Sequence, residues 1–282
     1  MMESGFPCVA SAWESARIVL FFRRTGSFLL SILQIGRRFC GPPNSGNGGY
    51  VCGLLSREVE GPTTAVLRAP IPLDTDLNLA RADGGAALMN ADGGLIAQGG
   101  PARQDLPEPP LTPTLDQGRA AGERHLGHTQ RIHPICFTCG PERETGDGLR
   151  VFPGQVEGAA TGVVACTWTP HPDFADADGT IGPEIVWAAL DCPGYFAWVE
   201  GEGRHGALLG TMTGEVEAPV LAGREYVVLA WPLAREGRKE TSGVALFDGD
   251  GRRVARGHQV WITLAPGGFG LRPRAAAATA GG

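Results

Sequence analysis

The stretch FCGPPNSGNGGYVCGLL, Phe39 to Leu55, sets five glycines and two prolines directly before an apolar run. A glycine-rich turn at a helix start exposes backbone N–H groups that have no partner inside the helix. It is therefore suited to holding a ligand oxygen as well as to starting a helix. A second chemical pattern is Cys136-x-x-Cys139, with His125, His128 and His133 close upstream. Zinc needs four ligands and no second Cys-x-x-Cys occurs, so no metal site is expected. No Gly-x-Ser-x-Gly turn offers a serine nucleophile. No Walker loop or dinucleotide fingerprint follows a strand, so nucleotide hydrolysis and hydride transfer are unsupported, and no cofactor is expected.

The elements that must position these residues occur twice. ALMNADGGLIAQGG (Ala87 to Gly100) and ALFDGDGRRVARGH (Ala245 to His258) match in register at Ala, Leu, Asp, Gly, Ala and Gly. Each reads as strand, Asp-Gly turn, strand. Upstream of each lies a strand that meets a proline and reopens, APIPLDTDL and APVLAGREY, and before that a helix candidate, GGYVCGLL and PEIVWAAL. Pro183 suits a first helical turn because its missing N–H would be unpaired there anyway. Between the copies, residues 107–130 are polar and rich in proline and glycine, the composition of a linker. The pattern predicts an α+β protein of two tandem units, each a curved antiparallel sheet wrapped around one central helix. The expected boundaries are an N-terminal extension over 1–35, a shorter first unit over 36–106, a linker over 107–131, a second unit over 132–267 and a flexible tail over 268–282.

With these residues in view the chain resembles the double-hotdog acyl-CoA thioesterases. CFTCGPERETGDGLRVFPG (Cys136 to Gly154) looks like the opening segment of phenylacetate-pathway-type members, and the passage from Ala218 to Ile262 looks like their strand meander. The resemblance implies that a glycine turn at a central helix start holds the thioester oxygen and that an acidic residue lies about two turns along a helix. Eight helical residues span about 12 Å, so donor and acid must come from different helices. In the repeat alignment Gly48 matches Pro183, Gly49 matches Glu184 and Ser56 matches Asp191. The first helix thus keeps the donor end, Asn47, Gly48 and Gly49, while the second keeps the acid, Asp191. At the reciprocal end Pro183 has no N–H and Glu184 repels an anion. The expectation is one complete composite site, with Asp191 activating the attacking water. A likeness to bacterial thioesterase II enzymes adds Gln259 as a residue that holds this water, with Thr211 and Thr213 the nearest threonines.

Arg37 with Arg38, Arg235 with Arg238 and Lys239, and Arg252 with Arg253 are short basic clusters that could meet coenzyme A phosphates; Arg238 and Lys239 head this group. Trp187, Tyr195, Phe196 and Trp198 are candidates for an acyl tunnel. The function implied is cleavage of an acyl-CoA or related thioester; the alternative is a catalytically silent double hotdog that binds such a thioester.

The 282 residues are 43% hydrophobic with a net charge of −6, enough for one large or two ordinary domains with cores of their own. The acidic balance and the absence of a Lys/Arg stripe argue against nucleic-acid partners. Seven cysteines in sparse, odd array suggest reduced thiols and a cytoplasmic protein. Arg23 and Arg24 split the apolar segment 16–33, so it reads as a poorly packed extension or a first strand and no membrane span is expected. A fused pair of units is compatible with either a monomer or a homodimer.

Overall fold

The structure, a computed structural model, describes residues 18–25, 28–82, 84–203 and 206–264. In the first half of the chain lie β1 (Ile18–Thr25), β2 (Phe28–Gln34), α1 (Gly48–Ser56), β3 (Thr63–Leu67), β4 (Asp76–Ala82), β5 (Gly85–Met89) and β6 (Leu95–Pro101). Two short helices follow, α2 (Leu115–Gly122) and α3 (Gly127–Gln130). The second half holds β7 (Gly154–Gln155), β8 (Val164–Trp168), α4 (Pro183–Glu202), β9 (Ala207–Val216), β10 (Tyr226–Glu236), β11 (Lys239–Phe247) and β12 (Arg253–Thr263).

The strands form one 12-stranded sheet in the order β1-β2-β4-β5-β6-β3-β9-β12-β11-β10-β8-β7. Its centre is the antiparallel pair β3–β9, where Thr64 faces Thr213. Read outward from there, the two halves repeat one topology: the strand after the helix, then the last, third and second strands, then the strand before the helix. β3, β6, β5, β4, β2 and β1 correspond to β9, β12, β11, β10, β8 and β7. The expected hairpins are β5–β6 and β11–β12, turning at Asn90–Gly94 and Asp248–Arg252. Residues 28–34, read from sequence as part of an extension or a first strand, pair with β4 and are the counterpart of β8. The rest of the extension before residue 18 and the tail over 268–282 lie outside the described residues.

Each half of the sheet curves over one helix. From Glu184 to Val199 every residue of α4 is buried, as expected of a helix that is apolar on all sides and enclosed on all sides. Strands β8 to β12 cover part of it and α1 covers the rest. Pro193 sits inside α4 and lacks an N–H, so the Ala189 carbonyl has no helical donor from it. A single core cluster runs from Leu55 and Ile96 in the first half to Phe196 and Leu246 in the second.

The connection over 107–131, linker-like in composition, is folded down onto the second half. Thr114 and Gln117 form a reciprocal capping box at the start of α2. A Cβ on Gly118 would lie 3.0 Å from the Val227 side chain, so α2 sits close against β10. Next to α2, His125 is buried against Phe152 and Phe196. Its Nδ1 lies 2.7 Å from the Pro153 carbonyl. A carbonyl can only accept, so the proton is on Nδ1, and Nε2 is left buried without a partner. Charging this ring would bury a cation, and burial lowers its pKa from 6.5 to about 4.

The unfolded chain binds this proton near 6.5 and the folded chain only near 4, so acid favours unfolding within that window. Stability from His125 should be fully present above the window and fall by up to ~3 kcal/mol as pH drops through it, at about 1.36 kcal/mol per unit. Denaturant titrations across this range check it. His125→Phe should flatten the slope, and an unchanged slope would refute the assignment.

Candidate functional site

Helices α1 and α4 pack antiparallel through two glycines four residues apart, which places both on one face of α1. A Cβ on Gly49 would lie 2.6 Å from the Asp191 Cβ and from the Trp187 carbonyl, and one on Gly53 would lie 2.4 Å from the Glu184 Cα. Neither glycine has a positive φ. Their function is therefore close approach of two backbones, and the contact presses the N-terminus of α1 against the middle of α4.

That contact brings together the donor end and the acid. The Asp191 Oδ2 accepts from the Gly49 N–H at 3.0 Å, while Oδ1 is buried with no hydrogen-bond partner. Desolvation pushes the carboxyl up to about 7, against the downward pull of the Gly49 amide and the Asn47 side chain. Asn47 caps α1: its side-chain oxygen accepts from the Tyr50 N–H and its Nδ2 donates to the Thr138 hydroxyl at 3.2 Å. The Asn47 N–H itself donates to the Phe39 carbonyl. Of the first amides of α1, Gly49 is thus held by Asp191 and Tyr50 by the cap. Among the described residues no acceptor is found for the Gly48 N–H.

Gly48, Asn47 and Asp191 line a pocket of about 270 Å³ between the two halves. Leu67, Ile71, Leu209 and Ile262 make much of its wall apolar. Tyr195 reaches it, whereas Trp187, Phe196 and Trp198 do not line it and are core residues. His133, Cys136 and Cys192 complete the floor beside Asp191. His125 and His128 stack instead around Phe152. Arg68, exposed at the rim, belongs to none of the basic clusters seen in sequence. A lone arginine in a loop carries no sequence signal, and only the loop's path along the pocket reveals it.

The sequence clusters fare unequally. Arg37 pairs with Asp74, Arg38 donates to the Gly146 and Asp147 carbonyls, and Arg253 pairs with Glu217 and Glu108. Those charges are spent internally. Arg238, in the turn between β10 and β11, and Lys239, the first residue of β11, are both exposed. Lys239 pairs with the pocket residue Ile262, and the Arg238 Nε donates to the Thr263 carbonyl at 2.9 Å.

At the other end of the helix pair the Glu184 carboxylate, in the first turn of α4, is clamped by Arg57 at 2.6 and 2.8 Å. Ser56, in register with Asp191, donates to the Gly53 carbonyl of its own helix. Donor and acid are thus both missing at this end.

Gln259 is fully buried on β12 beneath α4, and its amide is fully engaged. Nε2 donates to the Leu190 and Asp191 carbonyls at 2.8 and 3.1 Å, and Oε1 accepts from the Trp261 indole at 2.9 Å. It braces the main chain that carries Asp191, which leaves little capacity to hold a water as the sequence reading expected. Thr213 is no partner for it. Met212, opposite Gln259, shares its face, so Thr211 and Thr213 point to the other side of the sheet. There Thr213 meets the Thr64 hydroxyl at 3.0 Å.

No protein-family model matches the chain, and neither does any curated protein. Solved structures do. A protein from Novosphingobium aromaticivorans, provisionally described as a thioesterase, aligns with a TM-score of 0.59 at 14% identity, over 90% of this chain and 100% of its own. A protein of unknown function with hot dog fold from Alicyclobacillus acidocaldarius aligns at 0.56 and 12%, covering 87% and 96%. The tesB protein of Mycobacterium avium subs paratuberculosis aligns at 0.57 and 11%, covering 86% and 96%. These likenesses span both halves and establish the hotdog fold. No helix among the described residues is long and apolar enough to cross a membrane.

Replacing Gln259 with leucine would leave the Trp261 indole N–H without its partner in the core and take the side-chain donor from two α4 carbonyls. The expected loss of stability is about 1–3 kcal/mol, the usual cost of one unpaired buried group. Urea unfolding measures it, and a neutral result would remove Gln259 as a brace.

Proposed function

We propose that the chain hydrolyses acyl thioesters of coenzyme A or a related thiol at this one composite site. The observation that carries the reading is the convergence of a buried carboxylate from α4 and the free first amide of α1 on a largely apolar pocket. The thioesterase description of one structural relative, from Novosphingobium aromaticivorans, is in keeping with it. In this mechanism the thioester carbonyl oxygen accepts from the Gly48 N–H at the positive end of α1. Asp191 takes a proton from a water through Oδ1 as the water oxygen bonds to the carbonyl carbon. The tetrahedral oxyanion collapses, the C–S bond breaks, and the proton held by Asp191 passes to the departing thiolate. Gly49 orients the carboxylate, Asn47 holds the helix start, and Gln259 fixes the backbone behind the acid. Arg68 at the rim, with Arg238 and Lys239 on the neighbouring hairpin, meets the phosphates of the carrier.

Asp191→Asn retains an acceptor for the Gly49 N–H, so the fold should survive while thiol release from acyl-CoA falls about 10²–10⁴-fold, the usual contribution of a positioned general base. Undiminished turnover in this variant would exclude Asp191 as the base. Wild-type protein that binds acyl-CoA without releasing thiol would instead mark a silent binding module. Arg68→Ala should raise KM for acyl-CoA and leave it unchanged for an acyl-pantetheine lacking phosphates. Equal effects on both substrates would remove the phosphate contact.

A further inference from the structure

Cys136 and Cys139 come from the segment that opens the second half, and Cys192 comes from α4, directly after Asp191. All three are buried. Their sulfurs lie within 4.8 Å of one another, and those of Cys136 and Cys192 are 3.5 Å apart. The Cys-x-x-Cys backbone is a tight turn closed by the Gly140 N–H on the Cys136 carbonyl at 2.9 Å. A Cβ on Gly140 would lie 2.5 Å from that carbonyl, so only glycine allows the turn that aims both sulfurs inward. Three thiols from distant chain positions pointing at one spot are not needed for packing, since apolar side chains would fill the space with no polarisable sulfurs in contact.

We propose that Cys136, Cys139 and Cys192 form a binding site for a borderline-soft divalent cation, zinc(II) by its chemistry. Tetrahedral zinc holds thiolates at about 2.3 Å, which puts neighbouring sulfurs about 3.8 Å apart, within the range spanned here. A lone Cys-x-x-Cys falls short of a zinc site in sequence, and the fold supplies the missing thiol from 53 residues further along the chain. The fourth position faces the pocket, because Cys136 and Cys192 line it along with His133. The ion would tie the opening segment of the second half to the helix that carries Asp191, where Thr138 already donates to the Ala188 carbonyl at 2.7 Å. The inference does not depend on thioester turnover.

The test uses full-length protein purified under reducing conditions, stripped of metal and titrated with cobalt(II). Thiolate-to-cobalt charge-transfer absorption with intense tetrahedral d–d bands, saturating at one equivalent and displaced by zinc, is the expected result. Cys139→Ser should weaken cobalt affinity by more than the about 10- to 100-fold that losing an outer-shell partner costs. Cys52→Ser and Cys166→Ser, whose thiols lie outside the cluster, should leave it unchanged. Should Cys139→Ser fail to fold, the wild-type titration decides alone. Absence of charge-transfer absorption in the reduced protein would overturn the site. So would a Cys136–Cys192 disulfide, found by peptide mass, that re-forms in preference to metal binding.

Discussion

The backbone contact between α1 and α4 is the constraint on which the rest depends. Gly49 and Gly53 remove two Cβ atoms from one face of α1, and the helices approach until the Gly49 amide meets the Asp191 carboxylate. A side chain at either position would need space that Asp191, Trp187 or Glu184 already occupies. The same close approach that packs the centre of the protein therefore sets the geometry of the candidate site. Stability and chemistry share one contact.

The two ends of the helix pair show how one duplicated scaffold reaches two outcomes. A helix N-terminus favours negative charge. At α1 that charge is Asp191, carried by the other helix, and the first amide, on pocket-lining Gly48, has no acceptor among the described residues. At α4 it is Glu184, carried by the helix itself, with Arg57 folded over it. An almost buried carboxylate without its partner would be strongly destabilising, so Arg57 closes this end as a structural joint. Proline at the first position removes a donor there as well.

The middle of α4 is unusual in how many of its carbonyls receive side-chain donors. Thr138 serves Ala188, and Gln259 serves Leu190 and Asp191. Pro193 lies one turn beyond and disturbs the regular ladder. These polar braces come from neighbouring elements, and they are buried side-chain donors that themselves need acceptors in a segment surrounded by core. The outcome is a short stretch of rigid main chain bearing Asp191 and Cys192 toward the same pocket.

Much of this was legible in local sequence. Asp-Gly turns between alternating segments marked both β5–β6 and β11–β12, and the glycine turn ahead of α1 marked a helix start with open amides. Repeat register was enough to pair the donor end of one helix with Asp191 of the other, because an acid two turns along a helix cannot reach that helix's own N-terminus. Register failed for β2, whose partnership with β4 rests on long-range ladder bonds and leaves no shared turn motif to align. Composition also misjudged the connection over 107–131, since its packing follows from close approaches at Gly118 and Gly154 that no local pattern signals.

By itself, then, the sequence determined the two central helices, the two Asp-Gly hairpins and the repeat register that sets Gly49 against Glu184 and Ser56 against Asp191, all of which follow from spacing along one strand or helix. Only the tertiary structure decided that Gly49 is spent on Asp191 and Gly48 left open, that Gln259 braces a backbone, that Arg57 closes the second end, and that Cys192 joins the Cys-x-x-Cys pair. Each of these depends on how two helices cross and how closely they approach, and separation in space between distant residues is not encoded in local periodicity.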